Sequence, residues 1–224
     1  STLFMKRFLS SLVVVLFTGA FYAADFNVDG ISYNIVTLSE LTCEVTYPCS
    51  GTNLILPNTV TYKGREFTVL GIGNYAFDSS NIETVVIGDK LQYIGKEAFS
   101  ICMRLKSVTI PASVTTIGEE AFYGCDDLKE LILEDTSVPL SGKLSDISRV
   151  TPFWRDQISK VYIGRPISSN LMDDAFNWSI QQLTIGDLVT EFSDKYLMEN
   201  DYGTLGSLHT LTIGAGLQLV VCNI

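Results

Sequence analysis

The 224-residue sequence predicts a solenoid: an α/β-type repeat stack with one parallel β-sheet face, short helical or irregular turns opposite, and an N-terminal β-hairpin cap. Three observations predict it. The stretch "IGKEAFSIC" at 94–102 returns 23 residues later as "IGEEAFYGC" at 117–125. Its Ala-Phe pair recurs at Ala76-Phe77, Ala98-Phe99, Ala121-Phe122 and Ala175-Phe176, with weaker copies at Pro152-Phe153 and Tyr196-Leu197. Each copy is followed by a short alternating apolar run. Self-similarity at a period of about 20 to 50 residues marks units that stack on one another.

The runs are "VVI" 85–87, "VTI" 108–110, "LIL" 131–133, "VYI" 161–163, "LTI" 183–185 and "LTI" 211–213. Each reads as one short strand with its first and third residues inward and its middle residue outward. Strands of successive coils then stack in parallel, about 4.8 Å apart. The Phe of each marker fills the interior of its coil. The Ala before it must be small because a neighbouring backbone passes close. Gly73, Gly95 and Gly118 fit tight turns that call for positive φ.

The chain divides along this pattern. Met5 reads as the initiator, with residues 1–4 upstream of it. Lys6, Arg7 and the apolar run "FLSSLVVVLFTGAFYA" have the form of a secretory signal peptide, expected over 1–24. At about 15 apolar residues the run is short for a membrane span. Residues 25–66 form the cap, with hairpin turns at Asp29-Gly30 and Lys63-Gly64. Residues 67–135 are the regular repeats. An inserted loop over 136–150 accounts for the longest marker spacing, and 151–224 are degenerate repeats. The last coil breaks off at "IGAGLQLVVCNI", as in a truncated chain.

Composition narrows the function. The chain is 46% hydrophobic with a net charge of −10, which becomes −12 once Lys6 and Arg7 leave with the signal peptide. So acidic a surface repels phosphate backbones, and nucleic acid is not an expected partner.

The residues "IGNYAF" (72–77), the whole of 94–133 and the opening "DFNVDGISYNI" (25–35) resemble the BspA-like leucine-rich repeat proteins. The pattern of that family runs roughly IGxxAFxxCxxLxxVxIPxxVTx. The match is close over 67–133 and looser over 151–214, where Gly, Ala and Cys are partly lost. The resemblance implies a leucine-rich repeat solenoid that is secreted or displayed at the cell surface. Family members serve in adhesion to host matrix proteins and in cell contact. No functional residue carries over, because ligand specificity sits on no fixed motif.

Catalytic chemistry has little to stand on. His209 is the one histidine, and "SLHTL" around it has no motif character, so a surface histidine on the last coil is expected. No phosphate loop, dinucleotide fingerprint or zinc signature occurs, so no cofactor and no metal are expected. Glycoside hydrolysis needs only two carboxylates. The pairs Glu119-Glu120, Asp126-Asp127 and Asp173-Asp174 lie at turns of different coils, where a solvated face explains them. Cys102 and Cys125 share one repeat phase and read as buried thiols stacked one above the other. Cys43 and Cys49, six apart in the cap of an exported chain, suggest a disulfide, with free thiols as the alternative. Cys222 stands alone.

What remains is the outer face of the sheet. Its central column is Val86, Thr109, Ile132, Tyr162, Thr184 and Thr212, flanked by Thr84, Ser107, Glu130, Lys160, Gln182 and Thr210. Thr, Val and Tyr suit exposed strands without binding anything. Ile132 beside Tyr162 is nevertheless the kind of anchor that binding surfaces use. Trp154 near the inserted loop is the rival patch. The expected function is a non-catalytic adhesion module that binds a surface or matrix protein of a host or neighbouring cell. A glycan-binding module and a structural spacer displaying a further domain are the alternatives, and the hydrolase comes last. Nothing in the sequence specifies an oligomeric state.

Overall fold

A computed structural model of the chain describes residues 24–47, 51–142, 158–167, 180–193, 209–216 and 219–221. The expected signal peptide, Cys49, Phe153, Trp154, Asp173-Asp174, Ala175-Phe176, Tyr196-Leu197 and Cys222 lie outside the described residues.

The cap is built from strands β1 (Phe26–Val28), β2 (Ile31–Thr37), β3 (Thr42–Thr46), β4 (Asn53–Ile55), β5 (Thr59–Tyr62) and β6 (Arg65–Ile72). Both expected hairpins form. Asp29 and Gly30 turn the chain from β1 into antiparallel β2 at φ 52° and 82°, and Lys63 and Gly64 do the same between β5 and β6 at 48° and 73°. Two consecutive left-handed residues match the twist of a tight hairpin.

Beyond the cap run β7 (Thr84–Val86), β8 (Tyr93–Ile94), β9 (Ser107–Ile110), β10 (Thr116–Ile117), β11 (Glu130–Leu133), β12 (Ser141–Gly142), β13 (Lys160–Ile163), β14 (Gln182–Ile185), β15 (Glu191–Ser193), β16 (Thr210–Ile213) and β17 (Leu219–Val221). The predicted sheet is present as seven parallel strands in the order β16-β14-β13-β11-β9-β7-β4. A second sheet was not foreseen. It runs β1-β2-β3-β6-β8-β10-β12, with β5 paired to β6, so each regular coil enters two sheets.

A third ladder lies on the turn side. Tyr75, Phe77 and Ser79 donate their N–H groups to the carbonyls of Lys96, Ala98 and Ser100, and Glu97, Phe99 and Ile101 donate to Glu119, Ala121 and Tyr123. The Ala of the three described markers is small for this reason: Ala76, Ala98 and Ala121 are buried where these hydrogen-bonded backbones meet. Among the described residues no helix occurs, so the turns are irregular and the α/β character is not seen. The backbone has an evident preference here. A turn that gives its N–H groups to the next coil cannot also close them along its own chain.

The phenylalanines fill the interior as expected. Phe77, Phe99 and Phe122 are buried and stacked, with ring centroids 5.0 and 5.2 Å apart. The glycine expectation needs correction. Gly73, Gly95 and Gly118 do not take positive φ; Tyr75, Glu97 and Glu120, two residues later, do. The glycines answer a close approach instead. A Cβ on Gly95 would lie 2.7 Å from the Asn74 nitrogen, and one on Gly118 only 2.3 Å from the Lys96 nitrogen.

Within the span expected as an inserted loop, Leu140 bridges to Ile167, and Ser141 and Gly142 pair with Thr116 and Ile117; the rest of that span from 143 lies outside the described residues. Cys43 is buried, and its thiol is pushed up to about 12 first by burial and then by Glu44; the Cys49 expected to pair with it lies outside the described residues.

Candidate recognition face

Alternation within each strand sets the face. In β9, β11, β13 and β14 the second and fourth residues are buried while the first and third point outward. Pairing in register turns these outward residues into columns. Glu130 faces Ser107 and Lys160, and Ile132 faces Thr109 and Tyr162. Tyr162 is followed by Thr184 and then Thr212. The predicted central column is therefore continuous, and Ile132 and Tyr162 are neighbours as expected.

Burial ranks the residues differently from the sequence. Ile132 and Tyr162 are half-buried, as are Thr109 and Thr184. The most exposed apolar side chains on this face are Val86 at 59% and Ile55 at 72%, adjacent across β7 and β4. Ile55 and Asn53 were missed because they precede the first Ala-Phe marker. The signal was present: "LILPNTV" at 54–60 has the same form as "VTIPASV" at 108–114.

Hydrogen bonds fix several groups on the face. The Tyr162 hydroxyl donates to Asp135 Oδ1 at 2.8 Å, and this bond, then burial, raises its pKa. Thr84 Oγ1 donates to Asn53 Oδ1 at 2.7 Å. Lys160 pairs with Glu130 across the strands at 2.5 Å. At the strand entrance Glu83 receives Arg104 and Lys106, and the Lys106 hydrogen bond, followed by the Arg104 charge, holds its carboxyl below the usual range. These exposed ion pairs neutralise charge and order side chains but add little stability. The central column thus offers hydroxyls and branched apolar groups without a net charge of its own.

Other expected candidates settle away from the face or from one another. Glu119-Glu120 and Asp126-Asp127, expected on different coils, both lie between β10 and β11 and so on one coil, away from the sheet face. Asp126 has its pKa raised by partial burial and then by Asp127. His209 is exposed and donates its backbone N–H to the Gln181 carbonyl. Among the described residues no three His, Cys, Asp or Glu side chains gather where a metal could be held. Nor is any helix among them long and apolar enough to cross a membrane.

Stacked coils of about 23 residues, each giving one short strand to a parallel sheet and a Phe to a continuous core, define a leucine-rich repeat solenoid. The chain belongs to the family of BspA type leucine rich repeat regions, which matches in six copies over residues 39–137 and 70–202. Solved structures agree with the fold. A leucine-rich repeat protein from Bacteroides ovatus is similar at a TM-score of 0.53 and 19% identity, over 88% of this chain and 55% of that one. The leucine-rich repeat protein of T. pallidum gives 0.54 at 15% identity, over 84% and 85%. One from Bacteroides capillosus is 26% identical over 64% of this chain and 98% of its own, at a TM-score of 0.49. A search of the curated proteins finds none that matches.

Proposed function

We propose that this chain is an exported, surface-displayed recognition module without catalysis, and that the face of its seven-stranded sheet binds a protein on a host or neighbouring cell. The observation that carries this reading is the in-register outward column from Ile55 to Thr212, with its two most exposed apolar residues side by side at Ile55 and Val86. Extended solenoid sheets suit such recognition, and exposed apolar anchors within a polar rim are what protein interfaces use. The charged and apolar segment at 6–23 supports export.

The test is binding to an array of immobilised matrix proteins and glycans. Two variants run beside the unmodified chain: Ile55→Asp with Val86→Asp, and Ile132→Asp with Tyr162→Ala. A saturable signal on a protein, lost in the first variant while circular dichroism is unchanged, is the expected result. A signal competed by free sugars, or one that both folded variants retain, would overturn this assignment of the site.

A further inference from the structure

Cys102 and Cys125 are buried at 0% and 3% exposure, and the mechanism of recognition uses neither. Each occupies the same place in its coil. Cys102 Sγ donates to the Phe77 carbonyl and Cys125 Sγ to the Phe99 carbonyl, both at 3.1 Å. Ser80 holds this position one coil earlier, its Oγ 3.2 Å from Cys102 Sγ. The column is pinned on both sides: Ile101 donates its N–H to the Tyr123 carbonyl at 2.6 Å, and Asp127 donates to Met103 at 3.2 Å. Two backbones so joined bring the Cα atoms to a spacing of about 5 Å, within the range that disulfides span.

We propose that Cys102 and Cys125 form a disulfide between adjacent coils when the chain meets a small-molecule disulfide oxidant. The bond is independent of what the sheet face binds. Cys102, as thiolate, attacks one sulfur of the small disulfide, leaving a mixed disulfide and expelling one thiol. Cys125, deprotonated in turn, attacks Cys102 Sγ and expels the second thiol. Two protein S–H bonds are lost, one S–S bond is gained, and the oxidant is reduced to two thiols. The order follows the environment. Hydrogen bonds from Cys125 and Ser80 favour the Cys102 thiolate, while the bond to Cys102 and burial push Cys125 up.

Loss of the two S–H donors strands no carbonyl. Phe77 O also accepts the Ser80 N–H, and Phe99 O the Cys102 N–H. The exposed neighbours Ile101 and Met103 place the column one residue beneath the surface turn, so local opening or folding itself admits the oxidant. The consequence is a covalent staple in the regular part of the stack that adds to the hydrogen-bonded ladder.

The experiment refolds the full chain from urea with oxidised glutathione, alkylates remaining thiols, and maps tryptic peptides. Cleavage after Lys96, Arg104, Lys106 and Lys129 separates Cys102, on 97–104, from Cys125, on 107–129. The expected product is these two peptides joined, in monomeric chain, released by dithiothreitol, with unchanged circular dichroism. The oxidised chain then unfolds at higher urea than the reduced one. Recovery of both cysteines alkylated from the folded chain, or joined instead to Cys43, Cys49 or Cys222, overturns the proposal. So does a lower unfolding midpoint for the oxidised chain.

Discussion

Arg165 is the residue whose role the sequence hides most completely. It follows the "IG" of the β13 coil, where other coils carry Asp or Ala, and would pass for a solvated charge. Yet it is fully buried. Its guanidinium donates to the carbonyls of Pro111, Ala112, Val114 and Val138 at 3.2, 2.8, 2.7 and 3.3 Å. Burial lowers its pKa, but a guanidinium stays charged in proteins. One side chain thereby ties its own coil to two preceding ones. Replacement by Met keeps an unbranched apolar stem and removes the donors from four carbonyls. Arg165→Met should lower unfolding free energy by about 3 kcal/mol, read from the urea midpoint. An unchanged midpoint would mean that water serves these carbonyls equally well.

At the scale of the element, the repeat unit is held by a ring as much as by its strands. Phe99 lies between Phe77 and Phe122, so it packs on both faces, and no neighbour can move in without disturbing another coil. Phe99→Ala should therefore cost about 3–5 kcal/mol, at the upper end for large-to-small changes in a core. Calorimetry of the variant would show it; a loss below about 1 kcal/mol would mean that the stack collapses around the gap. The ring and the β7, β9, β11 strands were legible because a Phe at a fixed phase and a two-residue alternation survive translation into one dimension. The second sheet was not. Its strands β8, β10 and β12 are two residues long, too short for any alternation to register, and "YI", "TI" and "SG" share no apolar pattern. The same shortness misled the glycine reading. Gly95 and Gly118 look like turn residues in a linear sequence, and only the neighbouring coil reveals that they make room for its backbone.

Across the whole molecule the sequence foretold the stacking order and the outward columns but not the join between cap and stack. The cap does more than cover the first coil: β3 and β6 enter one sheet, and β4 opens the other. The coils around Phe77, Phe99 and Phe122 are joined by three inter-coil ladders, and apart from the longer reach of Arg165 these contacts join neighbouring coils. Stability in such an array is local and additive, so it should vary along the chain. In the β9 and β11 strands the inward side chains are buried at 0–1%, whereas Leu211 and Ile213 of β16 are exposed at 48% and 49%. Amide hydrogen exchange should accordingly be slowest in β9 and β11 and faster in β16, although all three have the same residue pattern. The exchange of Val108, Leu131 and Leu211 amides, followed in parallel at one pH, tests this directly. Equal protection at the three positions would show that the described coils open together as one cooperative block, with the ladders coupling the stack more strongly than nearest-neighbour packing provides.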